Sequence, residues 1–309
     1  MNYVLTAENL RKQYKSFNAL NCFNMHVPKG SIYGFVGRNG AGKTTLIRLI
    51  CGLQEPTEGS FTLYGIQNSD KDIGKARRRI GAVVETPAIY MDMSAADNLK
   101  QHYRILGLPS FQNIPDLLKL VGLENTGKKK AKQFSLGMKQ RLGIAIALAG
   151  NPDCLVLDEP TNGLDPQGII EMRELIFKLN RERQITVLIS SHILDELSRL
   201  ATHYGIIDAG RMVKELSAEE LDAACRKCTR IEVTKMTVLT SVLDSMGIDY
   251  KVLSETQADI FAKVNISQLI LALAKEDCEV LAIEEKDESL ESFFISLTGG
   301  GCDARTVDC

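Results

Sequence analysis

The sequence predicts an α/β fold, a mostly parallel sheet covered by helices on both faces, followed by a small α+β module. Three observations predict it. An apolar run from Ile32 to Val36 leads through Gly37-Arg38-Asn39-Gly40-Ala41-Gly42-Lys43-Thr44-Thr45 into a helical pattern ending near Ile50. Short apolar runs then alternate with helical stretches as far as Asp208, the pattern of parallel strands joined by helical crossovers. Beyond about Leu216 the composition shifts and the order becomes βαββαβ. A chain of 309 residues with 44% hydrophobic content suffices for about two domains with real cores.

Residues 3 to about 27 read as strands around a turn, with Val4, Leu10, Leu20, Phe23, Met25 and Val27 as apolar positions. The helix after the glycine loop stops near Cys51-Gly52, where glycine suits a helix end. Strands at 60–64 and 80–84 flank a charged helix at about 70–79. From 94 to about 122 the periodicity is helical, carried by Leu99, Tyr103, Leu106, Leu117, Leu118 and Val121. Another helix spans about 137–149. Cys154 to Leu157 is a buried strand ending in Asp158-Glu159, and Pro166 suits the first turn of the next helix. Strands follow at 185–189 and 204–208. In the last third, strands are expected at 229–233, 250–253, 259–264 and 278–284, with helices at 238–246 and 266–275. Gly299-Gly300-Gly301 opens a tail expected to be disordered. The expected domains are therefore 1–216, 217–298 and a flexible 299–309.

Composition excludes several classes. Net charge is −2 and the pI about 6.2, so there is no global basic footprint for nucleic acid. The short runs Arg77-Arg78-Arg79 and Lys128-Lys129-Lys130-Ala131-Lys132 read as solvated surface. No apolar run approaches the roughly 18 residues of a membrane span. The first eight residues lack the charged and apolar regions of a signal peptide. Eight cysteines are scattered, and Cys22, Cys51 and Cys154 sit in apolar segments as reduced thiols do, which fits a reducing compartment. Cys225 and Cys228 form a C-x-x-C pair, but no second close pair accompanies it to close a zinc site.

The chemistry starts at the glycine loop. Strand, glycine-rich turn and helix together make a phosphate loop, whose backbone N–H groups form a nest for phosphate oxygens at the positive end of a helix. Lys43 reaches the β- and γ-phosphates, and the Thr44 hydroxyl suits Mg²⁺. Asp158 and Glu159 stand at the carboxyl edge of the sheet, where open α/β folds bind ligands. Asp158 suits Mg²⁺, and Glu159 is placed to orient or deprotonate an attacking water. The rival reading is a pair of helix-capping acids, since Pro160 and Thr161 open a turn. His192 ends another buried strand, so three strand ends converge on one phosphate. Ser135 can cap the helix that follows it, giving a second anion-binding helix end. A head-to-tail pair of subunits could then use both ends on one nucleotide, although simple capping explains Ser135 equally.

The order of these motifs carries a resemblance: phosphate loop, Phe134-Ser135-Leu136-Gly137-Met138, Cys154 to Glu159, Asn162-Gly163-Leu164-Asp165, then Ser191-His192. It resembles the ATP-binding subunit of an ABC transporter. The resemblance implies a P-loop ABC ATPase fold, with an antiparallel β subdomain and a helical subdomain at about 86–150. It implies that Tyr14 stacks on adenine, while Gly37, Arg38, Asn39, Gly40, Ala41, Gly42, Lys43, Thr44 and Thr45 bind the triphosphate. Ser135, Leu136, Gly137 and Met138 would be the signature presented to the ATP of a second subunit. Thr44 and Asp158 would serve Mg²⁺, Glu159 would be the catalytic base, Asp165 would sit at the dimer seam, and His192 would contact the γ-phosphate. Two departures stand out. Leu136 and Met138 replace the usual glycine and glutamine of the signature, and Glu85 stands where the family has a metal- and coupling-loop glutamine. Both look like bacitracin-type exporters and lantibiotic immunity ATPases, and the C-terminal module is similar to the accessory domain such subunits carry.

The implied protein uses ATP and Mg²⁺, forms a nucleotide-sandwich dimer (with itself or a paralogue), and docks near residues 85–93 on a separate permease. It would lie peripherally on the cytoplasmic face of the membrane and drive efflux of a peptide antibiotic or other amphipathic toxin. The rivals are an exporter of unrelated small molecules, a sensor or regulatory ATPase that drives no transport, and an ATPase of chromosomes or ribosomes. The interval from Thr45 to Phe134 is too short for the long coiled coil of the chromosome type, and one cassette is present where the ribosome type joins two.

Overall fold

The computed structural model describes residues 2–225, 228–261, 264–286, 293–295 and 297. Packing divides the described chain after Ala218 into two units. In chain order the first comprises β1 (Tyr3–Tyr14), β2 (Phe17–Pro28), β3 (Ile32–Val36), α1 (Lys43–Ile50), β4 (Glu58–Leu63), β5 (Ile66–Gln67), α2 (Ile73–Arg77), β6 (Ile80–Val83), α3 (Ala95–Ile105), α4 (Ile114–Leu120), α5 (Leu136–Leu148), β7 (Cys154–Asp158), α6 (Pro166–Arg183), β8 (Thr186–Ser191), α7 (Leu194–Ser198), β9 (His203–Asp208) and β10 (Arg211–Ser217).

Every residue of β3, β7 and β8 is buried, which is why these strands read as continuous apolar runs rather than alternations. They are the centre of a six-stranded sheet ordered β10-β9-β3-β8-β7-β6. The pairs from β9 to β6 are parallel, and β10 closes one edge antiparallel. Parallel register brings the carboxyl ends of the strands to one edge: Val36 lies opposite Ser191, and Asp158 opposite Ser190. The chain leaves that edge as the glycine loop after β3, as Glu159 after β7 and as His192 after β8. A second, antiparallel sheet is ordered β2-β1-β4-β5. Leu46, Ile47, Leu49 and Ile50 of α1 are buried in the core with Phe23 and Phe35, whose rings meet edge-on at 5.8 Å. Truncating such a residue to alanine costs about 2–5 kcal/mol.

The helical stretch expected over 94–122 is two helices. Gly107 takes φ 68° after α3, and Pro109 disfavours helix at Leu108, so the chain turns before α4. The charged helix expected at 70–79 is confined to α2. Among the elements not anticipated are β5, α7 and β10; β10 alternates polar and apolar at a half-exposed edge and carries no strong strand signal. Cys51 and Cys154 are free, and burial pushes their thiols up to about 11 and about 12. Cys22, expected beside them, is only half-buried in β2.

The second unit contains all but the first residue of α8 (Ala218–Ala224), then β11 (Cys228–Val233), α9 (Met236–Ser245), β12 (Tyr250–Val252), β13 (Gln257–Ile260), α10 (Ile266–Ala274) and β14 (Val280–Lys286). Its antiparallel sheet is ordered β12-β13-β11-β14. Ile231, Val233, Ala258 and Ile260 of the sheet pack against Leu239, Leu243, Leu269 and Leu273 of α9 and α10. The Arg230 guanidinium donates two hydrogen bonds to Asp259, at 2.7 and 2.8 Å. Among the described residues no group of three or more His, Cys, Asp or Glu could hold a metal. The tail expected at 299–309 lies outside the described residues.

Candidate functional site

The glycine loop ends at Gly42, which stands at the N-terminus of α1 with φ 112°. A Cβ there would lie 2.5 Å from the Ala19 carbonyl oxygen, so only glycine lets the loop close against β2. The next residue, Lys43, is 5% exposed. Its ammonium donates to the carbonyls of Gly37 at 2.7 Å and Arg38 at 3.3 Å, and lies 3.2 Å from Glu159 Oε1. The Thr44 hydroxyl donates to Asp158 Oδ2 at 2.9 Å. Two residues remote in sequence thus place hard oxygens side by side at the mouth of the phosphate loop. That is the donor chemistry Mg²⁺ takes, so the residues present fit the metal.

The sheet edge supplies the rest. Asp158 is buried, and its Oδ1 accepts from Ser190 Oγ at 2.6 Å. Glu159 follows in the left-handed region, φ 48°, and its N–H donates to the same Ser190 oxygen at 3.0 Å. Its Oε2 lies 2.7 Å from His192 Nδ1. The carboxylate is therefore held from two sides, by a buried ammonium and by an imidazole. Beyond it, Glu196 of α7 accepts from Thr161 at 2.8 Å, tying the loop after Glu159 to the helix after His192.

Tyr14, Lys43, Thr44, Thr45 and Glu159 line one cavity of about 250 Å³, together with Asn39, Gly40 and Gly42 of the loop. The structure thus brings the expected aromatic to the expected phosphate loop. It also adds Phe17, which is 60% exposed across the β1–β2 turn from Tyr14. The Tyr14 hydroxyl donates to Gln54. Phe17 was legible only as an aromatic at a polar turn.

Other expected site residues stand elsewhere. Glu85 follows β6 in the left-handed region, φ 58°, and pairs with Arg48 of α1, one turn beyond Thr44. It is not part of that cavity's lining. Ser135 caps α5, accepting from Met138 N–H at 3.3 Å, and Leu136 is 46% exposed. No residue of 135–138 lines the phosphate-loop cavity. Asp165 caps α6 by accepting from Gly168 N–H at 3.1 Å. Gly163 and Leu164 lie against Leu136 and Gly137, so residues 135–138 and the Asp165 loop form one continuous surface.

Comparison with known proteins adds the following. The family profile described as ABC transporter matches residues 20–162. The chain is 40% identical over 304 residues to the bacitracin transport ATP-binding protein BcrA of Bacillus licheniformis, covering 97% of this chain and 99% of that protein. It is 46% identical over 212 residues to the lantibiotic transport ATP-binding protein SrtF of Streptococcus pyogenes, covering 69% of this chain and 90% of that protein. Among solved structures, a dimeric ATP-binding cassette in a post-hydrolysis state, bound to ADP and Pi, matches with a TM-score of 0.62 at 28% identity. That match covers 69% of this chain and 98% of the other.

Proposed function

Because this chain belongs to the ATP-binding subunits of ABC transporters, we propose that it drives export of a peptide antibiotic or other amphipathic toxin through a separate permease. It is an ATPase that uses ATP and Mg²⁺. The observation that carries the mechanism is Glu159, clamped between Lys43 and His192 beside the Thr44–Asp158 oxygen pair.

On this reading, the glycine loop and Lys43 bind the phosphates of ATP, and Thr44 with Asp158 would hold the metal. Mg²⁺, when bound, offsets phosphate charge. Glu159 orients the attacking water and takes its proton, and His192 fixes the carboxylate through Oε2. Tyr14 and Phe17 offer aromatic faces to the base. The signature 135–138 is directed at the nucleotide of a second subunit, which fits its absence from the cavity lining of its own chain. No helix among the described residues is long and apolar enough to cross a membrane. The cargo class rests on the names of the two relatives.

Deleting the gene and scoring sensitivity to bacitracin and to a panel of lantibiotics tests the cargo. Heightened sensitivity, restored by the wild-type chain and not by Glu159→Gln, is the expected result. Unchanged sensitivity throughout, with normal ATPase activity in purified protein, would overturn the cargo and leave the motor standing.

A further inference from the structure

We propose that Ser190 is the positioning residue that sets both carboxylates of this site, an inference that rests on reading Asp158 as the metal residue and Glu159 as the base. Ser190 is the fifth residue of β8 and is wholly buried. Parallel register places it directly opposite Asp158. Its hydroxyl donates to Asp158 Oδ1 at 2.6 Å and accepts from the Glu159 N–H at 3.0 Å. A hydroxyl has one proton and two lone pairs, so these two bonds leave it no rotational choice.

Each bond has a separate consequence. Asp158 has two oxygens. With Oδ1 tied to the sheet by Ser190, Oδ2 is the one presented to Thr44. Ser190 thereby decides which oxygen faces the metal site. Glu159 adopts φ 48°, a region that side chains with a Cβ avoid unless the surroundings enforce it. Its N–H is fixed by Ser190, and from that backbone the side chain reaches both Lys43 and His192. An ordinary extended continuation of β7 would carry it elsewhere.

The rest of β8 supplies the contrast. Val187, Leu188 and Ile189 are buried and apolar, and the change to serine comes at the position that faces Asp158. Thr186 and Ser191, the other buried hydroxyls of β8, have different partners: Thr186 accepts from Gly30 N–H at 2.9 Å and Ser191 from Ile193 N–H at 3.0 Å. The Ser190 hydroxyl is therefore not a general need of the strand.

The test uses the full-length protein with Ser190→Ala, Ser190→Thr and Glu159→Gln. It measures ATPase rates across a Mg²⁺ titration, binding of a fluorescent ATP analogue in EDTA, the gain in ADP affinity on adding Mg²⁺, and melting temperature. Ser190→Ala is expected to lower kcat roughly 10- to 100-fold, since a misplacement near 1 Å costs about that. The Mg²⁺ needed for half-maximal rate should rise and the Mg²⁺-dependent gain in ADP affinity should fall, while ATP binding in EDTA stays within about twofold. Ser190→Thr, which keeps the hydroxyl, should recover most of the rate. The proposal is overturned if Ser190→Ala matches wild type in rate and Mg²⁺ dependence. It is equally overturned if rate and EDTA binding fall together by the same factor, which marks a merely structural role. Should Glu159→Gln itself hydrolyse ATP normally, the underlying assignment of the base fails, a result distinct from failure of Ser190 alone.

Discussion

Replacing Glu159 by glutamine removes one charge and keeps the shape, so its effects can be worked out bond by bond. The amide still bonds His192, and the backbone bond to Ser190 is untouched. Lys43 loses its ionic partner at 3.2 Å but keeps the Gly37 and Arg38 carbonyls at 2.7 and 3.3 Å. The ammonium should therefore stay in place. A carboxylate near the γ-phosphate repels it, and two unit charges about 4 Å apart at an effective dielectric of 20 interact by roughly 4 kcal/mol, an upper bound here. Removing that charge should leave ATP affinity equal or higher. The rate behaves differently, because an amide cannot take a proton from water. A positioned base contributes about 10²- to 10⁴-fold, equivalent to roughly 3–5 kcal/mol of barrier. The assay pairs steady-state ATPase measurement with light scattering in Mg-ATP. We expect the variant to lose hydrolysis, bind ATP and accumulate as a nucleotide-held dimer. A wild-type rate, or a tenfold loss of ATP affinity, would refute the reasoning.

Three further outcomes follow from other contacts. Lys43→Ala deletes the buried ammonium at the glycine loop, and equilibrium ATP binding should fall at least tenfold; unchanged affinity would remove Lys43 as the phosphate clamp. Glu85→Gln breaks an exposed pair with Arg48 worth about 0–1 kcal/mol, so melting should barely move while the Mg²⁺ dependence of hydrolysis shifts. Superimposable Mg²⁺ curves would take Glu85 out of metal and coupling roles. A chain ending after Leu216 should retain ATP binding, because every residue of the phosphate-loop cavity precedes that point; loss of affinity in a truncated protein with native circular dichroism would oppose a separable second unit.

How much of this was legible in the sequence depended on whether a residue announces its own chemistry. The glycine loop, Asp158-Glu159 and His192 do so. Each ends a short buried apolar run bounded by turn residues, the pattern of a central strand in a covered sheet. Their convergence then follows from parallel register. Phe17, Ser190 and Arg48 announce nothing by themselves. Ser190 is one hydroxyl among many until register sets it opposite Asp158, 32 residues away. Arg48 looks like an ordinary last-turn cation until β6 delivers Glu85 beside it. The break between α3 and α4 was legible in Gly107 and Pro109, but the strong periodicity on either side concealed it.

Two carboxylates at neighbouring strand ends show why shared position does not give shared behaviour. Glu85 follows β6 and Glu159 follows β7, the strands pair in parallel, and both residues adopt the left-handed region, at 58° and 48°. The backbone strain is the same in kind. The restraints differ. Glu159 has a buried ammonium, an imidazole and a bond from its own N–H to a buried hydroxyl, with its side chain 21% exposed. Its geometry is over-determined, which a base that must meet one water at one angle requires. Glu85 has a 54% exposed side chain paired with Arg48, itself 37% exposed. An exposed pair of this kind opens at little cost. Glu85 is thus free to exchange Arg48 for another partner without disturbing the sheet. On the proposed reading, one strand end fixes the chemistry and the adjacent one carries the residue able to respond to nucleotide or permease.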